Sequence, residues 1–162
     1  MNRGAAAAPA ADLLLFLHAD TQLPPGGVEL ARAAVEAGAV GGGFLVRFDV
    51  DRPSLRLGER LINLRTRATR VPLGDQAQFA TAAAFRSLGG YRDWPILEDL
   101  DFARRLKRLG KVALVERPVT TAARRFVERG VAATVATNWL IWGLFFAGFP
   151  PHRLARLYRQ IR

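Results

Sequence analysis

The sequence predicts an α/β fold, in which strands alternate with helices around one layered core. The chain has 162 residues, half of them hydrophobic, which is enough for one domain with a sizeable core. Short apolar runs alternate along it with segments whose apolar residues recur at helical spacing. The chain contains no cysteine, and this excludes disulfides, zinc–thiolate sites and thiol catalysis.

The first half of the chain carries two predicted strands and three predicted helices. A short helix over 2–8 precedes a strand over 13–17, whose unbroken apolar run is typical of a strand buried on both faces of a parallel sheet. A helix over 28–37 and a strand over 44–48 follow. Pro53 then opens an arginine-rich amphipathic helix, whose apolar side consists of Leu57, Leu61, Ile62 and Leu64.

The second half repeats the alternation. The pattern predicts a strand over 77–81 and a short helix over 82–88 that Gly89 and Gly90 cap. A longer helix over 96–109 ends at Gly110 and is followed by a strand over 111–115. The apolar register of the longer helix is formed by Leu97, Leu100, Ala103 and Leu106.

The C-terminal tail differs in composition from the rest. No charged residue occurs over 130–151, and the apolar stretch falls just short of the roughly 20 residues that a membrane span needs. After Pro150 and Pro151, arginines oppose an apolar stripe of Leu154, Leu157, Tyr158 and Ile161. Two interpretations are equally open, namely helices at an anionic membrane surface and helices packed over the domain. We therefore divide the chain into a domain over 1–129 and a helical tail over 130–162.

The charge is strongly basic and unevenly distributed. Lysine and arginine number 24 against 14 acidic residues, for a net charge of +10 and a pI near 11.5. Up to Val50 the acidic residues prevail, five against three, whereas from Asp51 onward 21 basic residues face nine acidic ones. The acidic groups thus lie where a metal could bind, and the basic ones where a phosphate or an anionic membrane could.

Two candidate sites combine carboxylates with a strand or helix end. Asp20 follows the first predicted strand, at the sheet edge where α/β folds bind ligands, and His18 points to the same side. A carboxylate suits Mg²⁺ or Mn²⁺, although Asp20 could equally cap the turn before Pro24. Glu98 and Asp99 lie at a helix start, which alone explains acidic residues, but the apolar segment before them predicts desolvation and a raised pKa, as in a general base.

Gly74, Asp75 and Gln76 form a polar triplet at the turn before the strand over 77–81. Such a triplet is by itself usually a turn.

Taken in order, these motifs resemble a known family. The series runs Asn2-x-Gly4, an apolar strand, His-Ala-Asp-Thr-x-Leu-Pro, Gly-Gly-Phe, Gly-Asp-Gln-Ala, Leu-Gly-Gly-Tyr, Glu-Asp-x-x-Phe and Ala-Arg-Arg-Phe. It is similar to the family 2 glycosyltransferases of the GT-A fold, in particular to the bacterial subgroup labelled arsenosugar-biosynthesis glycosyltransferases. The resemblance covers essentially the whole chain.

The resemblance implies a role for each motif. Asp20 matches the last acid of the family's Asp-x-Asp motif, which holds the divalent cation (Mg²⁺ or Mn²⁺), and His18 stands at its first position. Asp99 matches the general base, with Glu98 beside it. The donor sugar and the acceptor would lie near Gly74, Asp75 and Gln76, and the diphosphate near Arg124 and Arg125, where Phe126 replaces the family's Trp.

The resemblance also implies partners, namely a nucleotide-sugar donor and an acceptor hydroxyl that the sequence does not identify. Since no signal peptide is visible, we expect a cytoplasmic protein, and the apolar and basic tail predicts a peripheral position on the inner face of the membrane. The family's first strand, helix and second strand, which bind the nucleotide, have no counterpart here, so we expect a partial domain with uncertain activity.

Two other classes of protein share features with this sequence. The apolar strand followed by x-Asp-x-Thr resembles the Asp-x-Asp-x-Thr signature of haloacid-dehalogenase-type phosphatases. This class is excluded, because His18 occupies the position of the nucleophilic first Asp and cannot form an aspartyl-phosphate. The remaining alternative is a non-catalytic basic module that binds membrane or nucleic acid. Nucleic acid is not expected as a partner, because the arginines lack interleaved stacking aromatics.

Overall fold

The computed structural model describes residues 1–161, apart from the side chains of Arg125 and Ile161. Helices and strands alternate along it, as the sequence predicts. The elements in chain order are α1 (Asn2–Ala6), β1 (Leu13–Leu15), β2 (Thr21–Gln22), α2 (Gly27–Glu36), β3 (Gly41–Phe48), α3 (Pro53–Thr69), a 3₁₀ turn (Gly74–Gln76), β4 (Phe79–Thr81), α4 (Ala82–Ser87), α5 (Glu98–Leu109), β5 (Val112–Thr121), α6 (Arg124–Arg129), α7 (Val131–Phe146) and α8 (Pro151–Ile161).

The described strands form one five-stranded mixed sheet in the order β1-β4-β3-β5-β2. Only β3 and β5 run parallel, whereas β4 is antiparallel to both β1 and β3, and β2 is antiparallel to β5. The prediction that β1 belongs to a parallel sheet is therefore wrong. Its burial on both faces is confirmed, since Leu14 packs into one core cluster and Leu13 and Leu15 pack against another. An apolar run reports two covered faces but not the direction of the neighbouring strand.

Helices cover both faces of the sheet. On one face, β-sheet residues such as Phe44 and Phe79 pack against α2, where Ala31 is fully buried. On the other face the core contains Phe85 of α4 and Phe102 of α5. The predicted register of α5 is confirmed for Leu100, Ala103 and Leu106, all of which are buried. The molecule is thus a layered α/β fold.

Strand β3 extends beyond the end of its antiparallel neighbour β4. The β3–β4 pairing covers only Gly41 and Gly42, and the following backbone groups on that side bond to side chains instead. The Asn63 amide of α3 accepts a hydrogen bond from the Val46 N–H and donates one to the Val46 carbonyl, each at 2.9 Å. Further along, the Glu59 carboxylate accepts from the Phe48 N–H. These side chains replace a missing strand, because buried backbone groups need partners.

Helix α3 turns a different face to the core than its apolar spacing predicts. Its buried residues are Leu55, Gly58, Glu59 and Thr66. The apolar side predicted from spacing does not face the core, since Leu57, Leu61 and Leu64 are exposed and only Ile62 is half-buried. The reason is that the inner face must supply hydrogen-bonding groups to β3, so the leucine stripe is turned outward.

The tail packs over the domain. Trp142 and Phe145 of α7 lie against the buried cluster of Val71, Leu100 and Ala103. In α8, Leu154 is buried and Leu157 and Tyr158 are half-buried, so the described part of its apolar stripe packs on the protein itself. No helix within residues 1–161 combines the length and apolar character needed to cross a bilayer.

Replacing Asn63 by Ala should destabilise the fold, because it leaves the Val46 N–H and carbonyl without their partner. An unsatisfied buried group costs about 1–3 kcal/mol, so the free energy of unfolding in urea should fall by that order. The matched control is Asn138→Ala, at an exposed position of α7, which should leave the midpoint nearly unchanged. Equal effects of the two changes would show that β3 does not depend on this side chain.

Candidate functional site

Side chains from distant parts of the chain meet in one cavity of about 280 Å³. His18 and Asp20 follow β1, Asp75 lies in the 3₁₀ turn, and Asp99 lies in the first turn of α5. The other wall is formed by apolar and aromatic side chains of the tail helices, among them Trp139, Ile141, Trp142 and Tyr158. One wall of the cavity therefore carries charged groups, and the other is apolar.

The carboxylate of Asp99 is held by two backbone hydrogen bonds. One oxygen accepts from the Gly74 N–H and the other from its own neighbour, the Leu100 N–H, each at 2.7 Å. Leu97, just before the helix, has a left-handed backbone with φ 63°, which is unusual for a bulky residue, and it lines the cavity. Asp99 therefore projects into the cavity in a fixed orientation.

His18 lies beside Gly74, close to the carboxylate of Asp99. A Cβ on Gly74 would stand 2.7 Å from the His18 Nε2 and 3.2 Å from an Asp99 oxygen. Any side chain at position 74 would have to displace the exposed imidazole of His18. The close approach of His18 and Asp99 therefore favours glycine at this position of the polar triplet.

Asp20 is placed by a short β-pairing. In the following residue, the Thr21 hydroxyl lies 3.0 Å from that of Thr121, and the Asp20 carbonyl accepts from the Ala122 N–H. The Asp20 side chain is exposed and lines the cavity. Within residues 1–161, no group of three or more His, Asp and Glu side chains forms a ready-made metal site. A single carboxylate still fits Mg²⁺, which commonly binds through one or two carboxylates together with substrate phosphates.

Sequence reasoning missed Arg65, a largely buried cation in the cavity wall. Its guanidinium stacks over the Trp142 ring, 4.9 Å from the ring centroid, and donates to the Gln76 amide oxygen at 3.0 Å. Its Nε has no hydrogen-bond partner among the described residues. Burial lowers the pKa of Arg65, whereas the negative charges of Asp75 and Asp99 raise it. Arg65 shares a helical face with Gly58 and Ile62, but the leucine stripe of α3 predicts a different inner face, so no signal in the sequence could have found it.

Two buried glutamines support the site from behind. The amide of Gln76 donates to the Phe44 carbonyl at 2.9 Å and accepts from the Leu73 N–H at 3.0 Å. The amide of Gln78 donates to the Asp99 carbonyl, and its oxygen accepts from the Tyr91 hydroxyl at 2.9 Å. Burial raises the pKa of Tyr91 well above its ordinary value, so this hydroxyl remains a donor. Both glutamines therefore position the site.

The structure separates the remaining predicted site residues from the cavity lining. Gly74 and Gln76 lie behind it, and Glu98 and the exposed Arg124 are also not among the described residues that line it. The side chain of Arg125 lies outside the described part of the structure. The neighbouring acid Asp101 forms ion pairs with Arg92 and Arg105, at 3.2 and 2.7 Å.

Glu98 is half-buried beside Asp99 and His18. Burial raises the pKa of its carboxyl, and the negative charge of Asp99 raises it further, whereas His18 lowers it. The predicted desolvation at this motif is therefore present. It affects Glu98, which stands next to the cavity, while Asp99 is the acid that reaches into it.

Comparisons of the chain with family models, with curated proteins and with solved structures give no match. The function of the site has to be inferred from its own chemistry.

The raised pKa of Glu98 predicts a pH dependence of stability. A carboxyl whose pKa is higher in the folded state binds more protons there, so stability falls as the pH rises from its ordinary pKa of about 4.5 toward the raised one. Glu98→Gln should remove this loss, so the melting temperature of the variant relative to wild type should increase from pH 4 to pH 7.

Glu116 provides the control of opposite sign. A hydrogen bond from Arg67 lowers the pKa of Glu116, so its contribution is present above the ordinary pKa and is lost as the pH falls. Glu116→Gln should therefore lower the melting temperature relative to wild type at pH 7 more than at pH 3. The same sign for both variants would contradict the environment described for Glu98.

Proposed function

We propose that this domain transfers a sugar from a nucleotide-activated donor to an acceptor hydroxyl, as the motif resemblance to GT-A glycosyltransferases implies. The observation that carries the proposal is the convergence of Asp20, Asp75 and Asp99 with Arg65 around one cavity. These residues come from separate elements, so their meeting is not a by-product of local sequence. The mixed α/β sheet is compatible with the GT-A fold.

Asp99 is suited to act as the general base. Each of its oxygens accepts one backbone N–H, which leaves further acceptor sites on the carboxylate. In the proposed step, the acceptor hydroxyl gives its proton to Asp99 while its oxygen forms a bond to the anomeric carbon. The bond from that carbon to the diphosphate breaks, and the electron pair leaves with the diphosphate.

Arg65 is suited to hold the anionic leaving group. Its charge is fixed at neutral pH, its stacking on Trp142 orients the guanidinium plane, and it lines the same cavity as Asp75 and Asp99. A preorganised cation in a largely dehydrated wall stabilises developing negative charge more strongly than one in water. We assign to Arg65 the diphosphate role that the resemblance gives to Arg124 and Arg125, because Arg65 lines the cavity and Arg124 is not among the described residues that do.

Asp20, with His18 beside it, would hold the divalent cation. The carboxylate is exposed at the cavity, which leaves it free to share a cation with donor phosphates. A bound Mg²⁺ or Mn²⁺ supplies charge neutralisation of the diphosphate.

Asp99→Asn keeps the shape of the side chain but removes the proton acceptor. We expect kcat for transfer from the preferred nucleotide sugar to fall by about 10²–10⁴-fold while donor binding persists. The control is Asp101→Asn in the same helical turn, whose acid is paired with Arg92 and Arg105. This control should lower stability with little effect on kcat, and a normal rate for Asp99→Asn would assign the base elsewhere.

Arg65→Gln should weaken the binding of a diphosphate. With inorganic pyrophosphate and uridine or guanosine diphosphate as calorimetric probes in the presence of Mg²⁺, we expect a loss of about 10–100-fold, because a hydrogen bond to a charged group contributes about 1.5–3 kcal/mol. The control is Arg60→Gln, an exposed position on α3. Equal, salt-dependent losses for both variants would favour the basic-module alternative.

A further inference from the structure

An apolar stripe runs along the outer face of α3. Leu57, Leu61 and Leu64 recur at helical spacing and are 56%, 43% and 64% exposed. The opposite face of the helix is committed to hydrogen bonds with β3, so α3 cannot rotate to bury these leucines. Single exposed leucines are common, but a regular stripe marks an interaction surface.

The neighbouring helix α7 also presents an apolar face to solvent. Over its 16 residues α7 carries no charge. Apart from Asn138, which lines the cavity, its exposed residues lie on one side of the helix and are all apolar: Ala132, Ala133, Ala136, Trp139, Leu140, Gly143 and Phe146. A helix packed on a soluble domain ordinarily turns charged residues outward.

The two apolar faces adjoin each other. A Cβ on Gly58 of α3 would lie 3.2 Å from the side chain of Val131 of α7. Further along, Leu61 and Trp139 line the same cavity from the two helices. We name this surface the α3–α7 face and define it by Leu57, Leu61, Leu64, Trp139, Leu140 and Phe146.

Cations surround the α3–α7 face. Arg60 is exposed on α3, and Arg153 and Arg156 are exposed on α8, which packs against α7. The guanidinium of Arg104 lies 4.9 Å from the Phe146 ring centroid. No acidic residue occurs beyond Glu128 in the sequence, and the net charge of the chain is +10. The exposed charges on α3 and α8 are therefore mainly positive, and the exposed carboxylate of Glu116 near the end of α3 is paired with Arg67.

We propose that the α3–α7 face binds the surface of an anionic lipid bilayer. Leucines would enter the acyl boundary, Trp139 would lie among the headgroups, and the arginines would contact anionic headgroups. Charge complementarity selects this occupant, because an anionic bilayer attracts a chain of net charge +10, whereas a second copy is repelled. The inference does not depend on glycosyl transfer.

The site of contact differs from the one that the amphipathic pattern of the tail predicts. The apolar stripe of α8 is used internally at Leu154, so this helix would contribute its exposed arginines but not its leucines. The apolar contact instead comes from α3, outside the tail.

Flotation of the full chain with vesicles provides the test. We expect binding to phosphatidylcholine vesicles that contain phosphatidylglycerol, weaker binding at high salt, and little binding to phosphatidylcholine alone. The double variant Leu57→Ser, Leu64→Ser should lower the partition coefficient at least tenfold. The matched control is Val28→Ser, Leu109→Ser, because these residues are 46% and 47% exposed but lie on other helices, α2 and α5.

The contribution of the arginines of α8 is tested separately. Arg153→Gln, Arg156→Gln should reduce partitioning about thirtyfold, since each arginine near an anionic surface contributes about 1 kcal/mol and 1.4 kcal/mol corresponds to a factor of ten. Arg32→Gln, Arg86→Gln, at exposed positions of α2 and α4, should have a much smaller effect. Circular dichroism melting of every variant establishes that each is folded.

Three outcomes would overturn the proposal. The first is no binding to either vesicle type, and the second is equal loss for the leucine pair and its control. The third is a dimer in sedimentation equilibrium that Leu57→Ser, Leu64→Ser dissociates, because a second copy would then cover the face.

Discussion

The unpaired edge of β3 is the constraint on which most of this structure depends. Beyond Gly42 the described sheet offers β3 no antiparallel neighbour, yet the strand continues to Phe48 through the core. Its edge groups are hydrogen-bonded by side chains of Asn63, Glu59 and Gln76. Since an unpaired buried backbone group costs more than most single contacts supply, the helix beside this edge has to present polar groups inward.

The candidate site follows from the same hydrogen bonds. Gln76 joins β3 to the 3₁₀ turn and also accepts from Arg65 and Thr66 of α3. The turn is joined in its first residue to Asp99, through the Gly74 N–H. A continuous set of hydrogen bonds therefore connects the strand edge, the buried cation and the carboxylate. The positions of Arg65 and Asp99 in the cavity therefore depend on the side chains that hydrogen-bond to the edge of β3.

The parts of the fold that sequence could predict are those determined locally. The register of α5 and the glycine cap of α4 depend on residues within one helix and its ends, and both are present. The convergence of His18, Asp75 and Asp99 was predictable only through a motif order that resembles a family, since no local pattern brings these segments together.

The orientation of α3 could not be predicted from its hydropathy. Asn63 and its partner Val46 are 17 residues apart, and Gln76 and Phe44 are 32 apart, so the demand for polar groups arises only in the folded sheet. The leucine spacing correctly predicts an apolar stripe on α3, but it does not predict which side of the helix faces the core. Arg65 was overlooked for the same reason, because it lies on the inner, polar side.

The cavity and the α3–α7 face are two sides of one arrangement. Turning the inner face of α3 toward β3 brings Arg65 to the cavity wall and, on the same helix, turns Leu57 and Leu64 to solvent. The rim residues Leu61 and Trp139 belong to both surfaces, so the cavity adjoins the region proposed to contact lipid. A chain bound by that face would hold its carboxylates close to the headgroup layer, within reach of a hydroxyl at the bilayer surface as well as one in solution.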